Sequence, residues 1–127
     1  MIALVDDDPA LLESLGSFFA AHGVDSLGFT SADGFCLARV LDTTDCLITD
    51  ICMPGMNGID LIRQVRKSHP ALPCILITGA PGRPMIPYAD LGVREVFIKP
   101  FSALELLEAV RAAGVQGRAF PTYGNPW

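Results

Sequence analysis

The chain contains 127 residues, which is enough for one ordinary domain with its own core and too few for two typical domains. Nine Lys and Arg residues against 14 Asp and Glu residues give a net charge of -5, which disfavours nonspecific binding to nucleic acid or to an anionic membrane. The first apolar run begins beside Met1 and leaves no room for a signal region, and no run approaches membrane-spanning length. We therefore expect a cytoplasmic domain that binds neither nucleic acid nor membrane directly.

Five short apolar runs predict β-strands, and they lie at residues 2–5, 26–29, 46–49, 74–78 and 95–98. Their near-continuous apolarity is typical of strands that are covered on both faces. Helical patterns separate the runs, and the first of them places Leu11, Leu15 and Phe18 on one side. This alternation predicts an α/β protein with a parallel sheet of five strands and about five helices.

Capping residues indicate where the helices begin and end. Asp8 precedes a proline at the start of the first helix, and Gly23 follows its predicted end. Asn57 and Ser102 each stand three positions before an acidic residue, as in a capping box, at the starts of the third and last helices. We expect Asp8 to cap the first helix rather than to bind a metal ion.

The predicted fourth helix is irregular, because the stretch between Thr78 and Val96 contains three prolines and three glycines. A proline inside a helix costs about 3 kcal/mol. We therefore expect a long loop with at most two helical turns around residues 87–91. The residues after 113 show no apolar period, so the sequence predicts a domain over residues 1–113 and a poorly ordered tail or linker remnant over residues 114–127.

The four cysteines show no C-x-x-C spacing and no histidine at ligand spacing, so we interpret them as small buried apolar residues rather than zinc ligands. They are Cys36, Cys46, Cys52 and Cys74.

Polar side chains follow three of the predicted strands. Asp6 and Asp7 come directly after the first strand, Asp50 after the third, and Lys99 after the fifth. Parallel α/β sheets place their sites at the carboxyl ends of the strands, so these side chains are expected to converge. Three neighbouring carboxylates repel one another unless a cation neutralises them, and ligand sets made only of oxygen favour Mg²⁺. The sequence therefore predicts a pocket for a hard cation and a phosphoryl group.

These residues stand in motifs that resemble those of response-regulator receiver domains, the phosphoacceptor half of two-component signalling. The motifs are Val5-Asp6-Asp7-Asp8, Thr49-Asp50-Ile51-Cys52-Met53-Pro54-Gly55-Met56-Asn57-Gly58, Ile77-Thr78-Gly79 and Lys99-Pro100-Phe101. The resemblance covers about residues 1–113 and is nearest to the branch whose receivers usually precede a helix-turn-helix output domain. It implies a doubly wound, flavodoxin-like sheet with the strand order 2-1-3-4-5 and a cis Lys99-Pro100 bond.

The resemblance also implies roles for the individual residues. Asp50 would take a phosphoryl group from a sensor histidine kinase or a phosphotransfer protein, and Lys99 and the Thr78 hydroxyl would contact the phosphoryl oxygens. Mg²⁺ would be held by Asp6, Asp7, Asp50 and the backbone carbonyl of Cys52. The domain would be a phosphoacceptor that catalyses its own phosphorylation and dephosphorylation, not an enzyme with a separate substrate. Its partners would be an output domain or target protein, with homodimerisation on phosphorylation possible in this family.

One position departs from the family pattern. Receivers commonly carry Tyr or Phe three residues before the lysine, where this chain has Val96. Phe97 is adjacent, but neighbouring strand residues point to opposite faces, so its ring cannot take over the role. We expect the domain to relay phosphorylation by rearranging residues 79–87 instead of an aromatic side chain.

Two other functions are compatible with the residues. Haloacid-dehalogenase-type phosphatases also use strand-end aspartates, and Asp6 with Asp8 could imitate their Asp-x-Asp pair. A phosphate-independent binding module that keeps the receiver fold is the second alternative, which Val96 favours and the intact acidic residues oppose.

Overall fold

A computed structural model describes residues 1–79 and 91–114 of the chain. The strands of this part are β1 (Ile2–Val5), β2 (Ser26–Phe29), β3 (Cys46–Asp50), β4 (Cys74–Thr78) and β5 (Glu95–Ile98). Its α-helices are α1 (Pro9–Ala21), α2 (Ala32–Ala38), α3 (Gly58–Ser68) and α4 (Ala103–Ala112), with a short 3-10 helix at Leu41–Thr43. The strands form one parallel sheet in the order β2-β1-β3-β4-β5, which confirms the predicted fold class and strand order.

Apolar clusters cover both faces of the sheet. Side chains alternate between the faces along each strand, so one strand contributes to both clusters. Ile2 and Leu4 of β1 belong to a cluster with α1 and α4, whereas Ala3 and Val5 belong to a cluster with α2 and α3. The sheet is therefore doubly wound, and each helix buries one apolar side against it.

The prediction that all five strands are covered on both faces is wrong for the two outer strands. Every residue of β1, β3 and β4 is buried, but Leu27 of β2 is 48% exposed and Ile98 of β5 is 49% exposed. Within residues 1–79 and 91–114, these strands lie at the edges of the sheet and have a neighbouring strand on one side only. The helices therefore cover them incompletely.

The predicted helix boundaries are confirmed by the hydrogen bonds at their ends. The Asp8 carboxylate accepts the N–H groups of the first turn of α1, and Gly23 follows the helix with a φ of 75°. The Asn57 and Ser102 side chains accept N–H groups at the starts of α3 and α4.

The prediction for the cysteines is correct for two of them and wrong for the other two. Cys46 and Cys74 are buried, and burial raises the pKa of the Cys46 thiol to about 12. Cys36 and Cys52 are exposed, because Cys36 lies on the outer side of α2 and Cys52 lies in the loop after β3. Among residues 1–79 and 91–114, no cysteine joins a group that could hold a metal ion.

The irregular fourth helix was predicted around residues 87–91, of which only Leu91 is among the described residues. The predicted tail over residues 114–127 also lies outside them except for Gly114. No helix in the described part of the chain has the length and apolarity to cross a bilayer.

Candidate functional site

Acidic side chains from two neighbouring strands meet at the carboxyl edge of the sheet. Residue pairing of β1 with β3 aligns Val5 with Thr49, so the residues that follow them, Asp6 and Asp50, lie side by side. One carboxylate oxygen from each of Asp6, Asp7 and Asp50 lies within 4.8 Å of the others. Asp6 and Asp50 are buried, whereas Asp7 is exposed. The group is therefore open to solvent on the Asp7 side.

Lys99 reaches this group from the end of β5. Its Nζ lies 2.9 Å from Asp6 Oδ2 and 3.3 Å from Asp50 Oδ2, although β4 separates β5 from β3 in the sheet. The Lys99 N–H donates to the Thr78 carbonyl at 2.8 Å, which continues the pairing of β5 with β4 up to the site. The Lys99–Pro100 peptide bond is cis, as the family resemblance implied. The long lysine side chain thus places an ammonium between two buried carboxylates.

Among the described residues, the charges at the site are unbalanced, with three carboxylates against one ammonium. Burial raises the pKa of the Asp50 carboxyl above its ordinary value, the charge of Asp6 raises it further, and Lys99 opposes both effects. Burial lowers the pKa of Lys99, but the carboxylates of Asp6 and Asp50 outweigh it and hold the pKa above its ordinary value. Asp50 is therefore harder to ionise here than in water. A cation bound beside it would lower its pKa again, because a positive charge favours the carboxylate.

The carboxylate group fits a divalent cation in size and chemistry. Mg²⁺ binds oxygen ligands at about 2.0 Å in octahedral geometry, so opposite ligand atoms lie about 4 Å apart. The 4.8 Å limit on the Asp6, Asp7 and Asp50 oxygens is close to that span. Within the described residues, the buried Asp6 Oδ2 has no hydrogen-bond donor of good geometry, although it forms an ion pair with Lys99. These residues could hold Mg²⁺ after small adjustments.

The loop after Asp50 is held against the strand by two hydrogen bonds and one close contact. The Cys52 N–H donates to Asp50 Oδ1 at 3.3 Å, and the Gly58 N–H donates to the Ile51 carbonyl at 2.9 Å. A Cβ atom at Gly58 would lie 2.0 Å from the Asp50 carbonyl oxygen, so only glycine fits there. Sequence reasoning placed Gly58 in a motif but missed this packing role, which depends on how closely α3 approaches β3.

The other predicted site residues lie at the same edge or close to it. Thr78 is the last residue of β4 and is buried, and Cys52 is exposed in the loop after Asp50. Asp8 instead caps α1 and does not join the acidic group, so the Asp6 and Asp8 pair that the phosphatase alternative requires is not formed.

Val96 and Phe97 point to opposite faces of β5, as predicted. Val96 packs with the cluster of α2 and α3, whereas Phe97 belongs to the cluster of α1 and α4 and stacks edge-on against Phe101 with ring centroids 5.9 Å apart. Val96 therefore occupies the position at which receivers commonly carry an aromatic residue, on the side of the sheet that α2 and α3 cover.

The doubly wound parallel sheet defines the chain as an α/β protein. The carboxylates and the lysine at the carboxyl edge of the sheet form a site for a cation and an anionic group. Residues 2–111 match the family model described as the response regulator receiver domain, and the chain belongs to this family. The match supports the receiver interpretation over the phosphatase alternative.

Several known proteins resemble the chain over most of its length. The response regulator protein TodT of Pseudomonas putida is 39% identical over 114 residues, which are 89% of this chain and 50% of TodT. The structure of the response regulator StyR is 31% identical with a TM-score of 0.81, covering 88% of this chain and 57% of StyR. The structure of TrrA from Thermotoga maritima in complex with Mg²⁺ and BeF is 26% identical with a TM-score of 0.77, covering 88% of this chain and 96% of TrrA. The chain thus spans about half the length of curated relatives such as TodT.

Proposed function

We propose that this receiver domain accepts a phosphoryl group on Asp50 from a phosphohistidine of a sensor kinase or phosphotransfer protein. An Asp50 oxygen forms the new bond to phosphorus while the phosphorus–nitrogen bond breaks, and the imidazole leaves with that electron pair and takes up a proton. The observation that carries the proposal is the buried Asp50 carboxylate, which lies among two further carboxylates and 3.3 Å from the Lys99 ammonium. Water would later hydrolyse the aspartyl phosphate.

The surrounding residues support this chemistry in different ways. We propose that Lys99 releases its carboxylate partners to bind one phosphoryl oxygen, and that the Thr78 hydroxyl donates a hydrogen bond to another. Mg²⁺ would be held by Asp6, Asp7, Asp50 and the backbone carbonyl of Cys52. When bound, it supplies positive charge against the phosphoryl oxygens. The complex of TrrA with Mg²⁺ and BeF supports this assignment.

We further propose that the domain comprises residues 1–113 and acts in the cytoplasm, joined through residues 114–127 to an output domain. Matched relatives such as TodT are about twice as long as this chain, which supports a further domain, and the sequence motifs favour one of the helix-turn-helix kind. Phosphorylation would then change how the receiver pairs with a second copy or contacts its target. DNA binding would belong to the output domain, because the net charge of this chain is -5.

The experiment is incubation with acetyl phosphate and Mg²⁺, followed by intact mass and peptide mapping. We expect one added phosphoryl group on Asp50, lost in Asp50→Asn and on chelation of the metal. Asp60→Asn is the matched control, because the Asp60 carboxylate is exposed at the start of α3 and pairs only with Arg63 in the described residues. Labelling of Asp6, or undiminished labelling of Asp50→Asn, would refute the proposal.

A phosphate-independent binding module remains the second candidate, and Val96 is the observation that favours it. The two functions differ in their response to Asp50→Asn. If partner binding in the presence of the kinase is unchanged by that substitution, the module is the correct description.

A further inference from the structure

Arg66, in the last turn of α3, donates hydrogen bonds to four backbone carbonyls. Its Nε donates to Leu91 at 2.9 Å and one Nη donates to Gly92 at 3.3 Å. The other Nη donates to Pro70 at 3.2 Å and to Leu72. Pro70 and Leu72 precede β4, whereas Leu91 and Gly92 precede β5. One partly buried guanidinium thus joins the two segments that lead into neighbouring strands.

These bonds are not a helix cap, although a basic residue often occupies this position. Cations at a helix C-terminus commonly contact the last carbonyls of their own helix. The four Arg66 acceptors in the described part of the chain all lie outside α3, which ends at Ser68. The side chain therefore links α3 to other parts of the chain.

The strands joined by Arg66 are the ones that carry Thr78 and Lys99 at their far ends. The first hydrogen bond that pairs the two segments runs from Arg94 N–H to the Cys74 carbonyl at 2.8 Å. At the other end, Lys99 N–H donates to the Thr78 carbonyl at 2.8 Å. Among the described residues, β5 is an edge strand whose one strand partner is β4, so its backbone is held by hydrogen bonds on one side.

The helix that carries Arg66 also contacts the Asp50 segment. α3 begins at Gly58, which packs against the Asp50 carbonyl, and it runs for 11 residues, or about 16 Å at the usual rise per residue. One helix therefore contacts the phosphoacceptor strand at its first residue and, through Arg66 in its last turn, the segments that lead into β4 and β5.

We propose that Arg66 is a positioning residue, which holds β4 and β5 so that Thr78 and Lys99 stand correctly beside Asp50. This rests on the proposed function. Arginine suits the role because its planar, fork-shaped group donates in several fixed directions at once, whereas the lysine ammonium is a compact point charge. Loss of the guanidinium lets the edge strand shift, and the Lys99 ammonium moves relative to the carboxylates.

The test uses the full chain with Arg66→Met and Arg66→Lys. Arg63→Met is the matched control, because Arg63 lies one turn earlier on α3, is 51% exposed and pairs with Asp60 at 3.4 Å. Two quantities are measured: the initial rate of phosphorylation by acetyl phosphate per folded molecule, and amide hydrogen exchange at Lys99. Exchange at Asp6, whose N–H donates to the Phe29 carbonyl at 3.0 Å, reports on the opposite half of the sheet.

We expect Arg66→Met to slow phosphorylation about threefold to tenfold. Amide exchange at Lys99 should accelerate, whereas exchange at Asp6 should not. For Arg66→Lys, both the phosphorylation rate and the exchange rate at Lys99 should lie between those of the wild type and Arg66→Met. If Arg66→Met does not fold, Arg66→Lys decides the question.

The inference is overturned if the folded variants are phosphorylated at the rate of Arg63→Met. It is also overturned if exchange at Lys99 and Asp6 accelerates equally, because that result reports general destabilisation. If the wild-type chain itself is not labelled on Asp50, the proposed function fails, and the exchange measurement alone decides whether Arg66 places the strand.

Discussion

The contact between Gly58 and the Asp50 backbone makes a sharp prediction for Gly58→Ala. The new Cβ would lie 2.0 Å from the Asp50 carbonyl oxygen and 2.9 Å from the carbonyl carbon, whereas real Cβ contacts essentially never fall below 3.0 Å. The two backbones must therefore separate by about 1 Å, because close-packed interiors offer no other relief. β3 is paired on both sides, with β1 and with β4, so the shift cannot be absorbed by an edge.

We expect this shift to affect both folding and phosphorylation. Overpacking of this kind typically lowers the free energy of unfolding by about 1–3 kcal/mol. A displacement of about 1 Å in a reacting group can cost about a hundredfold in rate. We therefore expect a folded Gly58→Ala domain that accepts phosphoryl from acetyl phosphate about a hundredfold more slowly than the wild type.

The assay combines thermal unfolding with the time course of intact mass in acetyl phosphate and Mg²⁺. Gly16→Ala is the matched control, since Gly16 lies inside α1 and its new Cβ would meet nothing closer than Ser26 Oγ at 3.8 Å. That substitution should stabilise the helix by up to about 1 kcal/mol and leave the rate unchanged. A folded Gly58→Ala domain that is phosphorylated at the wild-type rate would refute the reasoning.

Three further outcomes depend on the charges and packing around Asp50. Burial and the neighbouring negative charge raise the pKa of Asp50. Without divalent cations, the ionised Asp50 therefore destabilises the fold at pH values above this raised pKa. The destabilisation becomes smaller as the pH falls towards the ordinary pKa of 3.8. Asp50→Asn should therefore have a higher melting temperature than the wild type at neutral pH, and the difference should disappear in acid. Thermal unfolding measured at several pH values will test this. Lys99→Met removes the ammonium beside Asp50 and should slow phosphorylation by acetyl phosphate about a hundredfold, and an unchanged time course of intact mass would contradict this. Structures with and without beryllofluoride should differ at residues 79–87 while Phe97 stays in place, and inward rotation of Phe97 beside an unchanged segment would contradict this expectation.

The fold could be predicted from local patterns because those patterns have local causes. Buried parallel strands must be apolar in nearly every position, and helix starts need side chains that accept the unpaired N–H groups, as Asp8, Asn57 and Ser102 do. The convergence of acidic residues followed from topology, since parallel strands bring their carboxyl ends to one edge.

The features that sequence reasoning missed depend on distances between separate segments. The fit of Gly58 against Asp50 is set by how closely α3 approaches β3, and the bonds of Arg66 are set by where residues 70–72 and 91–92 return to that helix. The partial exposure of β2 and β5 likewise depends on how far the helices extend over the sheet edges. Neither hydropathy nor capping patterns record such distances.

The substitution of Val96 for an aromatic residue and the bonds of Arg66 bear on the same part of the molecule. Val96 packs in one apolar cluster with Leu91 and Val93, which belong to the segment that Arg66 holds. The branched valine side chain is restricted at χ1 and has no ring to swing inward, so it offers no aromatic switch. The segment that Arg66 joins to the residues before β4 therefore packs beside the position at which this chain lacks the aromatic residue that receivers commonly carry.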